Sequence, residues 1–255
     1  MAFSQDLLKD KTILVTGAGK GIGKACALLA DICGANVIAV ARTECDLVAL
    51  KNESSERLSF WVGDVQDKAL YEKIQALPLL HGLINNAGTN RVAPMQEQSD
   101  ENIDDILSLN IRSAYKVAQA AITPMLKSQA PSIVHMSSQM GFVGSPGRTL
   151  YCLSKHAIEG LTKAMAVELA PNNIRVNSVA PTFIKTPMTD QNYFPMPMIR
   201  SPEFAAEQIY IGLTKKNGFE IHFPKVFTYM MKFLRILPSS IYFRFLEKGM
   251  KKVNY

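Results

Sequence analysis

Residues 12–23 read Thr12-Ile13-Leu14-Val15-Thr16-Gly17-Ala18-Gly19-Lys20-Gly21-Ile22-Gly23. The first five are apolar or β-branched and stop at a glycine, the pattern of a strand buried on both faces. Glycines then alternate through the turn, where they let the backbone fold back tightly and approach a ligand. A helical stretch follows from Gly21 to Cys33. This order aims backbone N–H groups and the positive end of a helix dipole at one spot, suited to a pyrophosphate. The turn is therefore expected to hold a dinucleotide among Gly17, Gly19, Lys20, Gly21, Ile22 and Gly23.

Outward from that turn the alternation continues. Apolar runs predict strands at 36–41, 58–62, 82–85, 132–137 and 175–180, with a last short one at 219–223. Between them lie helical stretches at 68–77, 101–127, 150–170 and 203–216. Ile103, Ile106, Leu107 and Ile111 share a helix face, and Pro171 stops the 150–170 helix. Strands alternating with helices predict an α/β chain: a single doubly wound domain, a parallel sheet of six or seven strands, and a C-terminal helical tail. By texture the chain divides into a dinucleotide-binding and catalytic core, 1–186, a lid with the last helix and strand, 187–222, and a basic amphipathic tail, 223–255. The lid region is rich in proline and methionine, with Pro187, Met188, Pro195, Met196, Pro197 and Met198.

Composition narrows the classes. The chain has 255 residues, 47% of them hydrophobic and 20% charged, enough to build a large core and too apolar for a disordered chain. Its 15 glycines and 13 prolines exclude a collagen-like or low-complexity polymer. There is no apolar run long enough for a standard transmembrane helix, and Met1 to Lys11 lacks a signal-peptide core, so a cytoplasmic location is expected. Cys26, Cys33, Cys45 and Cys152 show neither a redox nor a zinc spacing and read as small hydrophobes of a reducing compartment. His81, His135 and His222 have no ligand spacing either, so no metal is expected. The net charge of +6 sits in residues 221–255, which hold seven Lys/Arg against Glu247 alone. The remainder is balanced, which argues against a nucleic-acid surface.

Two further sites carry chemistry. A dinucleotide site for NAD places an acidic residue after the second strand to bind the ribose 2′-hydroxyl. Here Arg42 stands there, followed by Thr43, and Lys20 lies across the turn. Two cations on that side favour a 2′-phosphate, hence NADP(H). Tyr151 and Lys155 are four apart on a helix and share a face. An ammonium beside a phenol lowers its pKa, which suits Tyr151 to protonate a carbonyl oxygen, and Ser138 at the end of a strand is placed to hydrogen-bond the same oxygen.

With these residues together, the chain resembles the short-chain dehydrogenase/reductase family over about residues 8–187. Thr16–Gly23 fits its TGxxxGxG turn, and Asn85-Asn86-Ala87-Gly88 its NNAG element. Asp64, followed by Val65, fits the acidic residue that contacts adenine, and Ser138 precedes the tyrosine at the family's interval. The resemblance implies a Rossmann fold and a catalytic tetrad of Asn110, Ser138, Tyr151 and Lys155. It implies a cofactor site drawing also on Asn86, Ala87, Gly88, Tyr151, Lys155, Pro181, Ile184 and Thr186. By the same resemblance, Lys155 lowers the Tyr151 pKa and holds the nicotinamide ribose, and Asn110 links Lys155 to solvent protons through water. Within the family, the Gly-rich turn with Arg42-Thr43 is similar to NADPH-dependent carbonyl and L-xylulose reductases. A small carbonyl or alcohol substrate and a homodimer or tetramer, paired through the 101–127 and 150–170 helices, are the partners implied. Two departures stand out. Thr182 follows Pro181 where the family has glycine, and the usual glycine-rich last strand is missing.

The expected activity is NADPH-dependent reduction of a ketone, aldehyde or dicarbonyl. The alternatives are reduction of a 3-oxoacyl thioester, or a cofactor-binding module docked to a membrane or partner by its tail. In that tail Val226, Met230, Phe233, Leu234 and Leu237 gather on one side of a helix, with Lys225, Lys232 and Arg235 on the other. The first reading packs the apolar side on the domain or a second subunit. The second lays it in a membrane interface, making the protein membrane-associated.

Overall fold

The computed structural model describes residues 4–190, 196–214 and 218–250, with side chains as far as 213 in the second segment and 244 in the third. Lys251 and Lys252 of the tail, and the middle of the Met/Pro-rich stretch, lie outside the described residues. The elements run β1 (Thr12–Thr16), α1 (Gly21–Ile32), β2 (Asn36–Ala41), α2 (Glu44–Asn52), β3 (Leu58–Val62), α3 (Lys68–Gln75) and β4 (Gly82–Asn85). They continue with α4 (Asp100–Ile106), α5 (Ser113–Met125), β5 (Ser132–Met136), α6 (Thr149–Leu169), β6 (Arg175–Pro181), α7 (Pro202–Thr214), β7 (Glu220–Phe223), α8 (Lys225–Ile236) and α9 (Ser239–Met250).

The seven strands form one sheet in the order β3-β2-β1-β4-β5-β6-β7, every neighbour parallel. Period-two alternation sends neighbouring side chains to opposite faces. Val15, Val37 and Ala39 pack with Cys26, Leu47 and Ile209, so α1, α2 and α7 cover one face. Leu14, Ile38 and Leu83 pack with Ile74, Val117 and Leu169, so α3, α5 and α6 cover the other. The chain winds outward in both directions from the β1–β4 junction, which makes that junction the switch point of the sheet.

Two elements differ from expectation. The sequence reading left 44–52 without a helix, and α2 occupies it. Only Leu47 and Leu50 of this helix are buried, which is too few to print a periodic stripe. The charges did carry a signal, with Glu44 and Asp46 in the first turn and Lys51 in the last, each matched to the helix dipole. The single helix expected over 101–127 is interrupted by a π-helical segment, Leu107–Arg112, between α4 and α5. Apolar spacing does not reveal one extra residue in a turn. Such wide turns concentrate at functional sites, and this one carries Asn110.

Candidate active site

The site is built at the carboxyl ends of β1 and β4. Thr16 is fully buried, and its Oγ1 accepts the N–H of Asn86 at 3.0 Å and of Ala87 at 3.1 Å. Asn86 Nδ2 returns a bond to the Thr16 carbonyl at 3.1 Å. Asn85 Nδ2 donates to the Ala114 carbonyl at 2.7 Å, tying the sheet to α5. The two switch-point loops are thus riveted together before any ligand arrives. Gly17 has φ +63, a left-handed conformation that favours glycine. A side chain at Gly23 would bring its Cβ within 2.2 Å of the Gly17 carbonyl oxygen, so the turn and the first coil of α1 are in contact. Lys20 caps α1 without a side-chain bond, and no acidic residue stands in the first turn. The free N–H groups of this helix end fit an anionic phosphate.

One cleft of about 280 Å³ lies over this junction. Gly17, Lys20, Gly21 and Ile22 of the glycine-rich turn line it, with Asn86, Ala87 and Gly88 after β4. Ser138, Tyr151 and Lys155 line it from β5 and α6, and Pro181, Ile184 and Thr186 from the end of β6. Met136, Ser137, Thr89, Thr182, Met188 and Thr189 also line it. The sequence reading missed these as site residues, although most adjoin a motif that it found. Thr189 Oγ1 donates to the Ile184 carbonyl at 2.6 Å and closes the segment as a turn. A larger open hollow beside α4, about 550 Å³, is lined by Arg91, Glu101, Asp104 and Asp105 and contains none of the motif residues.

The remaining candidates support the cleft from outside its lining. Gly19 packs its backbone against Asp46, and Gly23 against Gly17. Arg42 lies 3.7 Å from Asp64, and Lys20, which does line the cleft, lies 3.1 Å from Asp46; both side chains are exposed. Thr43 is exposed at the start of α2. Val65 is buried, and its carbonyl accepts the Tyr71 hydroxyl at 2.7 Å. Asn110 is buried; its Nδ2 donates to the Thr89 carbonyl at 2.8 Å and to Ser154 Oγ at 3.1 Å, while its Oδ1 accepts the Thr89 N–H at 2.8 Å. It therefore clamps the Gly88–Thr89 loop to α6.

At the centre, Lys155 Nζ donates to the Met136 carbonyl at 2.7 Å and lies 5.5 Å from the centre of the Tyr151 ring. Burial pulls the Lys155 ammonium down to about 8, partly opposed by Glu159 one turn along α6. Burial raises the Tyr151 phenol above its ordinary value, while a hydrogen bond with Ser138 and the charge of Arg148 pull it back. Below Lys155, Glu159 is buried, burial raises its carboxyl pKa, and neither carboxyl oxygen has a hydrogen-bond partner among the described residues. The sequence signal for Glu159 was its place four residues after Lys155. His135 is fully buried and held neutral, its pKa lowered to about 4 by burial and by Lys155. No cluster of three metal-ligating side chains occurs among the described residues.

Comparison with known proteins agrees with this geometry. The sequence profile described as short chain dehydrogenase matches residues 11–194. A 3-oxoacyl-[acyl-carrier-protein] reductase, FabG, of Thermotoga maritima is 40% identical over 192 residues, covering 72% of this chain and 78% of that enzyme. An L-xylulose reductase of Bos taurus is 37% identical over 182 residues, covering 71% and 75%. A solved structure of a short-chain dehydrogenase/reductase from Mycobacterium marinum superposes with a TM-score of 0.77 at 30% identity, covering 85% of this chain and 96% of that one. The profile spans all the residues that line the cleft, and the chain belongs to the short-chain dehydrogenase/reductase family.

Proposed function

We propose that this protein is an NADPH-dependent reductase that converts the carbonyl of a ketone, aldehyde or dicarbonyl to an alcohol. The observation that carries this reading is the convergence of Ser138, Tyr151 and Lys155 on the cleft that the glycine-rich turn also lines. The residues fit a dinucleotide: an uncapped helix end faces the phosphates, and the close packing of Gly17 on Asn86 leaves the backbone bare beside them. Lys20 and Arg42 would hold the 2′-phosphate, replacing their present partners Asp46 and Asp64. Bound NADPH supplies a hydride to the carbonyl carbon.

The chain's own groups then manage the oxygen. A phenol is protonated at neutral pH, so Tyr151 is in the form that a general acid needs. Ser138 orients the carbonyl beside it. The buried ammonium of Lys155 stabilises the phenolate left after proton transfer, more strongly than it could in water. Asn110 acts as a positioning residue by fixing the Thr89 loop on α6. Exposed Tyr115, Leu153 and Val167 on α5 and α6 support pairing with a second copy through these helices. Four free cysteines fit a reducing cytoplasm.

The test is NADPH oxidation by the purified protein across a carbonyl panel: small dicarbonyls and ketoses, long-chain ketones and 3-oxoacyl thioesters. The thioesters are included because the Thermotoga maritima relative carries that name. Turnover of a free carbonyl supports the reading, and turnover of thioesters alone moves the substrate to that class. NADPH binding without any turnover makes the protein a cofactor-binding module.

A further inference from the structure

We propose that the outer face of α8, continued into α9, docks this protein on an anionic lipid surface. The helix sits on the domain by the side that carries Thr228 and Leu234, both buried. Thr228 is fully buried and pairs with His222 Nδ1 at 2.6 Å, Lys232 meets Glu220 at 3.1 Å, and Phe227 packs on Phe183. Met231 and Tyr242 close over Phe142 and Val143. What remains outside is the stripe Val226, Tyr229, Met230, Phe233 and Ile236, spaced for one helix face. Val226 is 75% exposed, Phe233 59% and Ile236 76%. Beyond Pro238 the same surface continues with Ile241 and Phe243, both exposed. A helix of a soluble domain ordinarily turns such a stripe inward.

The charges select the occupant. Exposed Lys225, Arg235 and Arg244 accompany the stripe, and from residue 221 to 246 the sequence contains no acidic residue. A second copy meeting this face by a two-fold axis would set these cations against themselves. A lipid surface takes apolar side chains below its headgroups and cations beside its phosphates. No helix among the described residues is long and apolar enough to cross a membrane, so the contact is one of lying on the surface. Docking is independent of the chemistry in the cleft, and its test needs no substrate.

The experiment is co-sedimentation of the full-length protein with vesicles of phosphatidylcholine and phosphatidylglycerol in equal parts, and with vesicles of phosphatidylcholine alone. Capture by the anionic vesicles, weakened by salt, is expected. Lys225→Gln with Arg235→Gln should weaken it about 25-fold. Val226→Ser, Phe233→Ser and Ile236→Ser together should weaken it at least about tenfold. All of these side chains are exposed, so the melting temperature should hold. Three results overturn the proposal: no capture of the unaltered protein, equal capture by both vesicles, or capture that survives the triple serine variant. A dimer in sedimentation velocity that the triple variant dissolves, without vesicle capture, also overturns it and assigns the face to a second copy.

Discussion

β1 buries Leu14 and Val15 completely between two layers of helices, whereas α8 leaves Val226 and Ile236 three-quarters exposed. Both segments are rich in apolar residues. In β1 the run ends at Gly17, whose positive φ is required for the turn, so sequence and site are locked to each other. In α8 an amphipathic stripe states that one side is apolar without stating what that side meets. An apolar pattern locates a core only where backbone chemistry around it also demands one.

The largest effect should come from the catalytic end of this contrast. Tyr151→Phe keeps the ring and its packing but removes the proton donor, so carbonyl turnover should fall about 10²–10⁴-fold with cofactor binding retained. Next is Arg42→Asp, which removes one charge-assisted bond and restores the acid that suits a free ribose. NADPH binding should weaken about 10–100-fold and NADH should gain, measured by fluorescence titration. Gly23→Ala forces a methyl group to within 2.2 Å of the Gly17 carbonyl and should cost about 1–3 kcal/mol in a denaturant titration, with cofactor affinity lost as well.

Lys155 should show itself in two pH profiles of opposite slope. Turnover that depends on its ammonium is full below about pH 8 and falls as pH rises through that value. Stability runs the other way: the unfolded lysine titrates near 10.5, so between about 8 and 10.5 the unfolded chain binds more protons. The cost of burying the charge is therefore fully present below about pH 8 and is relieved as pH rises through that window. Replacement by methionine should flatten both trends. The smallest effect belongs to the tail. Tyr242→Phe removes a hydroxyl that accepts the Gly144 N–H at 3.1 Å, worth about 0.5–1.5 kcal/mol. If the tail melts as part of the domain, this loss appears in global stability; if it frays first, it appears only in hydrogen exchange at α9.

The sequence was most readable where geometry leaves few choices. The first four strands begin and end as the apolar runs do; β1, β2 and β4 are buried on both faces and print continuous runs, and the turns around them carry glycine or polar residues. The glycines of the turn, Asn86, Ser138, Tyr151 and Lys155 were legible because each residue type performs work that few others can. The π-helical turn at Asn110 was not, because widening a helix by one residue changes hydrogen bonding without changing composition. In the tail, the face expected from Val226, Met230, Phe233, Leu234 and Leu237 divides: Leu234 is buried and Leu237 half-buried, while Val226, Met230 and Phe233 are exposed, with Thr228 and Lys232 partnered by His222 and Glu220 on β7.

The most direct measurement is a side-by-side titration of the full-length protein with NADPH and NADH, read by cofactor fluorescence. If Lys20 and Arg42 hold a 2′-phosphate, as proposed, NADPH should bind at least about tenfold more tightly. Equal affinity, or a preference for NADH, would contradict the assignment of those two cations and with it the NADPH-dependent reading of the site.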